Sequence, residues 1–468
     1  MSPLSASSLD LQKAIIWAFV GVVCFHLAYE FDWLRGLILG FLFCLVPLAH
    51  LETGRKVFYL GLGIGFGIYA PQLAFFWTIF NAAAIALWAV LAFWLALFLL
   101  LSRQAVVRFG RFGLIMIPVL WLGVEYFRSE LYYLRFSWVT PGLAFSGTEL
   151  AKVMGIFGVY GIGFLLFSLA VSIWTLPLKL KVLFLTLAIV GASFAGRTVQ
   201  PAATDAGALV RVAGAQLEFP DEDQVLAALN EMMASQTNAT IFVLSEYTFN
   251  GSVPKRILSW CRNNGKHLIV GAHDDAGENY FNTAFVIGPA GEIVAKQAKS
   301  VPIQFFKDGL PAREQKAWES PWGKIGLAVC YDLSYRRVID RLVEQQCQAL
   351  IIPTMDVVEW GERQHRLHAR IAPMRAAELG VPIFRLCSSG ISQAVEAGGA
   401  VTATAPFPGE RAVLTAWMNI KNASRLPLDH WLGPIFVVVT FILSAMFAVM
   451  GIVKRESPSK PAPSSDSD

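Results

Sequence analysis

Charge is scarce in this chain. Asp, Glu, Lys and Arg make up only 15% of its 468 residues, against 55% hydrophobic, and mean hydropathy is +0.52. Soluble domains carry about 25% charged residues, so this balance excludes an ordinary soluble protein and points to a membrane protein. A basic patch is lacking too: the net charge of +4 is scattered, and nucleic acid is not an expected partner. Cysteine is sparse, with six residues, no Cys-x-x-Cys pair and no zinc-ligand spacing. Neither a disulfide framework, a metal nor any other cofactor is therefore expected. Cys24 and Cys44 lie in apolar runs; Cys261, Cys347 and Cys387 read as buried thiols. Met1–Lys13 is polar and lacks a small-residue cleavage site, so the first apolar run reads as a retained signal anchor.

What the chain has instead is apolar runs: Ala14–Tyr29, Trp33–Leu48, Val57–Phe80, Ala83–Leu101, Phe112–Tyr126, Ile156–Trp174, Leu183–Phe194 and Trp431–Val453. A spanning helix needs about 20 residues, so the fifth and seventh are short for the task and read as tilted or re-entrant. Crowding of the first seven into some 200 residues rules out buried helices of a soluble domain, and eight spans are expected. Alternate loops hold Arg55 and Lys56, then Arg103, Arg108 and Arg111, then Lys179 and Lys181, and the last flank holds Lys454 and Arg455. The opposite loops hold Arg35, then Arg128, Arg135 and Lys152. By the positive-inside rule both termini are cytoplasmic, and the block between the seventh and eighth spans lies outside the cytoplasm.

The expected organisation is a membrane domain at 1–196, an extracytoplasmic block at 197–430, a final span at 431–453 and a Pro/Ser-rich disordered tail at 454–468. Only the block has soluble-domain composition. Short, β-branched runs at Arg211–Gln216, Ile241–Leu244, His267–Ala272, Thr283–Ile287, Lys324–Val329, Ala349–Ile352 and Pro382–Leu386 read as strands. Helical patterning separates them at Asp221–Ser235, Pro254–Asn264, Arg337–Gln346 and Arg363–Leu379, and Gly288-Pro-Ala-Gly291 reads as a hairpin turn. That alternation predicts an α/β domain with helices covering the sheet faces.

Within the block, Gly326-Leu-Ala-Val-Cys330-Tyr-Asp332 carries a cysteine to the end of an apolar strand, where a turn begins. Such a corner fixes the backbone and presents the sulfur, although a cysteine on an apolar strand is more often a core residue. Glu246 likewise ends the run Ile241-Phe-Val-Leu-Ser245, and Lys299 follows the hairpin. Alone, the first reads as a solvated turn residue and the second as surface charge. Together they supply a base, a fixed cation and a thiol. A thiol attacks as thiolate, and its ordinary pKa of about 8.5 leaves a minority ionised at neutral pH. A desolvated Glu246 takes that proton, while Lys299 and the N–H after the nucleophile hold the oxyanion, giving acyl transfer through a thioester.

Glu246, Lys299 and Cys330 with their flanks resemble the Glu-Lys-Cys triad of the nitrilase, or carbon–nitrogen hydrolase, superfamily. The matching text runs from Asn282 to Lys299 and from Gly323 to Asp332, with His368-Ala-Arg-Ile-Ala-Pro-Met-Arg-Ala-Ala-Glu-Leu379 resembling a later helix of those domains. Such a domain placed before the last of eight spans resembles the apolipoprotein N-acyltransferase family. Pro118-Val-Leu-Trp-Leu-Gly-Val-Glu125 and Gly158-Val-Tyr-Gly-Ile-Gly-Phe-Leu165 are similar to that family's membrane segments. The resemblance covers about residues 14–453 and implies an αββα sandwich on a polytopic helical bundle in a bacterial inner membrane, its catalytic domain periplasmic. It further implies that Cys330 takes a fatty acyl chain from a phospholipid and passes it to the N-terminal amine of a diacylglyceryl-cysteine lipoprotein. Lipid substrates of this kind suit a site at the bilayer.

The sequence departs from the family after the lysine. An acidic residue usually follows Val-Pro there, whereas Val301-Pro302 continues as Ile-Gln-Phe305; Asp308, Asp332 and Glu359 are the available replacements. Tyr331, Asp332 and Trp360 are the expected substrate-positioning residues, with Tyr331 equally readable as packing and Trp360 as an interfacial belt residue. His365 and His368 have a metal-like spacing but no third ligand, and read as a surface helix. Other readings are a membrane-anchored amidase, a relative serving conjugal transfer with another acceptor, and a degenerate, non-enzymatic assembly component.

Overall fold

The computed structural model describes residues 9–177, 207–409, 411–421 and 423–456. Its first part is a bundle of α1 (Leu11–Glu30), α2 (Leu37–Leu45), α3 (Gly54–Gln72), α4 (Phe75–Phe80), α5 (Ala83–Phe109), α6 (Arg111–Tyr126) and α7 (Met154–Thr175), joined by the last helix, Asp429–Glu456. Among the described residues, five stretches are long and apolar enough to cross a membrane: Leu11–Glu30, Ala83–Phe109, Arg111–Leu131, Glu149–Thr175 and Asp429–Gly451. The short run at Phe112–Tyr126 gains length because α6 continues through Leu131 as a π-helical turn. Val57–Phe80 is not one helix. Pro71, which lacks an N–H and crowds the preceding turn, lies in the last turn of α3, and the chain restarts as α4 at Phe75. Trp33–Leu48 is helical only over α2 before Pro47 opens a 3-10 turn. Leu183–Phe194 and the tail beyond residue 456 lie outside the described residues.

Lipid offers apolar side chains no incentive to leave it, so helices in a bilayer associate by close backbone approach at small residues. The pair α3–α5 is built this way. A Cβ on Gly65 would lie 2.4 Å from Ala92 Cα, and one on Gly61 2.6 Å from Ala96 Cα.

The block after the bundle forms two six-stranded sheets. Strands β1 (Ala208–Ala215), β2 (Ile241–Val243), β3 (His267–Ala276), β4 (Asn279–Ile287), β5 (Ile293–Ala298) and β12 (Val413–Ile420) make the first, in the order β12-β1-β2-β3-β4-β5. Strands β6 (Ala317–Ser320), β7 (Gly323–Leu327), β8 (Ala349–Thr354), β9 (Ile383–Cys387), β10 (Ser392–Val395) and β11 (Val401–Ala405) make the second, in the order β11-β10-β9-β8-β7-β6. The inner strands β1-β2-β3 and β7-β8-β9 are parallel and the outer pairs antiparallel. Parallel strands buried on both faces read as unbroken apolar runs, which is why these six were legible.

Alternation along each strand sorts its side chains between two layers. Ile241 and Val243 meet Ile351 and Phe384 of the facing sheet, whereas Phe242 and Leu244 turn outward to helices Glu222–Ser235 and Lys255–Asn264. On the other side, Leu350, Ile352 and Ile383 pack under helices Arg336–Glu344 and Ile371–Leu379 in a core continuous with the bundle. The order is α-β-β-α, with the second helical layer lying between its sheet and the membrane helices. The expected helix Arg363–Leu379 is two, Glu362–Ala369 and Ile371–Leu379, since Pro373 cannot donate into a continuous helix.

Buried charges fasten this layer to the bundle. Arg336 pairs with Asp429 of the last helix and its N–H donates to Glu130 at 3.1 Å. Arg375 pairs with Glu378 at 2.6 Å, and Glu378 accepts the Val159 N–H freed by the kink of α7 at Gly158. Each charge is covered, and removing one partner of such a pair costs about 3–5 kcal/mol. The bundle itself gives a cleaner test. Gly65→Leu is expected to force α3 from α5 and lower the thermal midpoint of the detergent-solubilised protein by several degrees, about 1–3 kcal/mol of overpacking. An unchanged midpoint contradicts the close approach.

Candidate active site

Three of the loops that form the site leave the carboxyl ends of parallel strands, where open α/β sheets place their ligands. Glu246 follows β2, Cys330 follows β7, and Met355 and Asp356 follow β8; Lys299 arrives directly after β5. Gly271 on β3 makes room for the first turn, since a Cβ there would lie 2.6 Å from Glu246 Cα. Cys330 and Tyr247 both hold φ near 52°, in the left-handed region. For residues with a Cβ that costs of order 1–3 kcal/mol and persists only where the surroundings impose it, commonly at functional sites.

The three residues expected from sequence come together, all almost fully buried. Lys299 Nζ lies 2.9 Å from Glu246 Oε1 and 2.7 Å from Asp308 Oδ2. Asn282 Nδ2 bridges the same two carboxylates, at 2.6 Å to Glu246 and 2.9 Å to Asp308. The second oxygen of Glu246 accepts the Met355 N–H at 2.8 Å, and the Met355 carbonyl lies 3.7 Å from Cys330 Sγ. Asp308 is fixed further by Tyr247 OH and the Ile303 N–H, each at 2.7 Å. Of the three acids left open by the sequence, Asp308 is the one on the lysine. Nothing local marked it, because it comes nine residues after Lys299 around a loop.

One ammonium between two carboxylates separates their proton affinities. Burial acts on both. For Asp308 the Lys299 cation outweighs it and holds the carboxyl below its usual range. For Glu246 burial wins over Lys299, and the Asp308 anion adds to the rise. Lys299 resists burial through Glu246 and Asp308 and stays a cation. Burial, then Glu246, push the Cys330 thiol well up, with Lys299 opposing. The resting site is therefore a thiol beside a carboxylate ready to receive its proton, not a standing thiolate.

Asp332 is placed differently from the expected substrate contact. Its carboxylate accepts the backbone N–H groups of Ser300, Val301 and Val329 at 2.7–3.2 Å, tying the lysine loop to the cysteine loop. Glu359 stands away from this cluster in the 3-10 turn Val358–Trp360. The histidines are a correction: His365 and His368 are buried, not on a surface helix. His368 Nδ1 lies 2.8 Å from Asp356, which also pairs with Arg385 at 2.5 Å. Burial and the Arg385 cation push His368 down to about 4, so it is neutral at pH 7 and donates. Burial disfavours ionised Asp356, yet His368 and Arg385 hold it well below the usual range. This charged pair sits directly behind Met355, and its helix looked exposed because Arg363, Arg366 and Glu362 surround the histidines in sequence.

Beside the cluster opens an apolar cavity. Phe76, Phe80 and Trp138 line it from the bundle side, and Phe306, Tyr331 and Trp360 from the α/β side. Two of the expected positioning residues, Tyr331 and Trp360, therefore face it. Phe80 contacts Phe306 edge to face at 5.7 Å, and Trp138 meets Tyr331 at 5.8 Å and stacks on His368 at 4.6 Å. Among the described residues no group of three His, Cys, Asp or Glu is arranged to hold a metal ion.

A thiol, a carboxylate and an ammonium at the strand ends of two facing mixed sheets fit the carbon–nitrogen hydrolase class, and residues 197–425 match the Carbon-nitrogen hydrolase family. Residues 16–172 match the Apolipoprotein N-acyltransferase N-terminal domain. With both matches in one polypeptide, the chain belongs to the apolipoprotein N-acyltransferase family. It is 22% identical to an apolipoprotein N-acyltransferase of Shewanella oneidensis, over 86% of this chain and 88% of that protein. It is 23% identical to one of Geobacter metallireducens, over 75% of this chain and 79% of that protein. Among solved structures, an amidase from Nesterenkonia sp. AN1 is 18% identical with a TM-score of 0.40, covering 45% of this chain and 90% of that one.

The Asp308–Lys299–Glu246 arrangement has a measurable signature. The kcat/KM of acyl transfer is expected to fall toward acid with a midpoint above the ordinary glutamate value of about 4.3, because Glu246 must be ionised to take the proton. Asp308→Asn removes the anion that raises Glu246 and is expected to move that midpoint to lower pH. An acid limb that stays where it was contradicts the sharing of Lys299.

Proposed function

We propose that this acyltransferase takes a fatty acyl chain from a membrane phospholipid onto Cys330 and delivers it to the N-terminal amine of an S-diacylglyceryl-cysteine lipoprotein. The observation that carries this reading is the position of the apolar cavity: it lies between helix α4 of the bundle and the residue that follows Cys330. Its aromatic lining suits an acyl chain.

In the first half-reaction Cys330 Sγ attacks the ester carbonyl carbon while its proton passes to Glu246. The new C–S bond gives a tetrahedral oxyanion held by the Lys299 ammonium and the Tyr331 N–H. Collapse breaks the C–O bond, and Glu246 returns the proton to the departing lysophospholipid oxygen. In the second half the acceptor amine attacks the thioester carbonyl and gives its proton to Glu246. The C–S bond then breaks and the sulfur recovers the proton. Loss of one oxyanion donor typically costs about 10²–10³ in rate, and loss of a general base about 10²–10⁴.

The bundle supports a periplasmic location in the bacterial inner membrane. Arg363 of the α/β block bonds Gln72 and Glu30, at the C-terminal ends of α3 and α1. Arg55 and Lys56 lie at the opposite end of α3. That puts the block at the end of the bundle away from Arg55 and Lys56, which supports reading it as the exterior side under the positive-inside rule.

Incubating the full-length protein with phospholipid vesicles and analysing the Cys330 peptide by mass spectrometry tests the proposal. A long-chain acyl adduct is expected, lost on addition of a diacylated lipopeptide, which gains the chain. Glu246→Gln is expected to lower the rate by about 10²–10⁴-fold, and Cys330→Ala to abolish transfer at normal abundance. Acylation by short amides alone supports an amidase instead. No adduct of either kind overturns the thioester.

A further inference from the structure

Asp308 is the buried residue of an open stretch: Phe305, Phe306 and Lys307 before it are exposed, and so is Leu310 after it. A loop of that kind does not by itself hold a carboxylate on the earlier Lys299. Two phenols from outside the loop do so. Tyr247 OH donates to Asp308 Oδ1 at 2.7 Å, and Tyr280 OH donates to the Lys307 carbonyl at 2.8 Å. The Tyr280 carbonyl accepts the Leu310 N–H, also at 2.8 Å. The two hydroxyls lie 3.4 Å apart, each with its hydrogen already given. Behind them His273 stacks on Tyr280 at 3.8 Å and meets Tyr247 edge on at 5.6 Å.

Tyr247 directly follows Glu246, and successive side chains of a strand point to opposite faces. The φ of 52° at Tyr247 breaks that alternation and brings both side chains onto one cluster, Glu246 to Lys299 and Tyr247 to Asp308. Of the donors on Asp308, Lys299 and Asn282 are shared with Glu246, and the Ile303 N–H belongs to the loop itself. Tyr247 is the remaining one, anchored outside the loop and not shared. Burial and the Asp308 anion push its phenol well up, so it stays a donor. Resting on the reading that Glu246 is the base, we propose that Tyr247, backed by Tyr280, is a positioning residue that sets how Lys299 is divided between Asp308 and Glu246. Neither phenol lines the apolar cavity, so the effect reaches the reaction through Asp308. The titratable groups against Glu246 are Lys299, Asp308, Cys330 and Tyr247. With the Tyr247 bond lost, Asp308 loosens, Lys299 goes over to Glu246, and the glutamate becomes the weaker base.

The test measures acyl transfer by the full-length protein from phospholipid vesicles to a diacylated lipopeptide across pH. Tyr247→Phe, which removes one oxygen and keeps the ring, is expected to lower kcat about tenfold, the worth of one charge-assisted bond, with KM for the donor unchanged. Its acid limb is expected to move to lower pH, the direction expected of Asp308→Asn. Tyr280→Phe is expected to do the same to a smaller extent. In the Asp308→Asn background, Tyr247→Phe is expected to change neither kcat nor the limb further, because the charge it holds is gone. A fall in kcat with the limb unmoved, an undiminished rate, or losses that multiply in the double variant overturn the proposal. Where Asp308→Asn moves the limb and Tyr247→Phe does not, the sharing of Lys299 stands and only the tyrosine's part in it falls. Where neither moves it, the reading of Glu246 falls as well.

Discussion

The structure turns on one buried ammonium held between two carboxylates. An isolated lysine at this depth would lose its proton, and an isolated glutamate would keep its own. Lys299 with Asp308 alone is close to neutral, which leaves Glu246 only part of a partner and so able to accept a proton. Asn282 and the Met355 N–H hold the geometry without adding charge. A low dielectric strengthens each of these contacts and makes an unmatched charge expensive, so the cluster works only as a set.

That set depends on supports that touch no reacting atom. Met355 presents its N–H to Glu246 and its carbonyl to the sulfur because Asp356, the next residue, is anchored by Arg385 and His368. His368 in turn stacks on Trp138, which belongs to the segment between α6 and α7. Asp332 ties the two loops bearing lysine and cysteine. Geometry at the sulfur is thus referred back, through one ring stack and one ion pair, to the membrane bundle.

Much of this could be read from the chain, and the gaps have physical reasons. The parallel strands announced themselves because burial on both faces demands apolar runs; β6 and β11 are short edge strands without that demand, and β10, though buried throughout, is four residues long with Ser392 and Gln393 in it. Glu246, Lys299 and Cys330 each stood at or just after a strand end, and it was their combination, not any one position, that carried meaning. Asp308 stood in a loop and was one of three equal candidates until folding brought it to Lys299. His365 and His368 misled because charged neighbours in sequence say nothing of which helical face is covered. The break of Val57–Phe80 near Pro71 was written in the sequence, but hydropathy alone outvoted it.

The sandwich lies, along the chain, between two membrane segments, and its second helical layer packs against the bundle. Helix Ile371–Leu379 is buried over its whole length, with Ile371, Met374 and Leu379 inside the core that runs into α7. The α/β half is consequently not a detachable module. Cut free of its lipid-side neighbours, it would present an oily face and orphaned guanidiniums, and crystallographic or inhibitor work on an excised fragment would be studying a different surface from the one the cell uses.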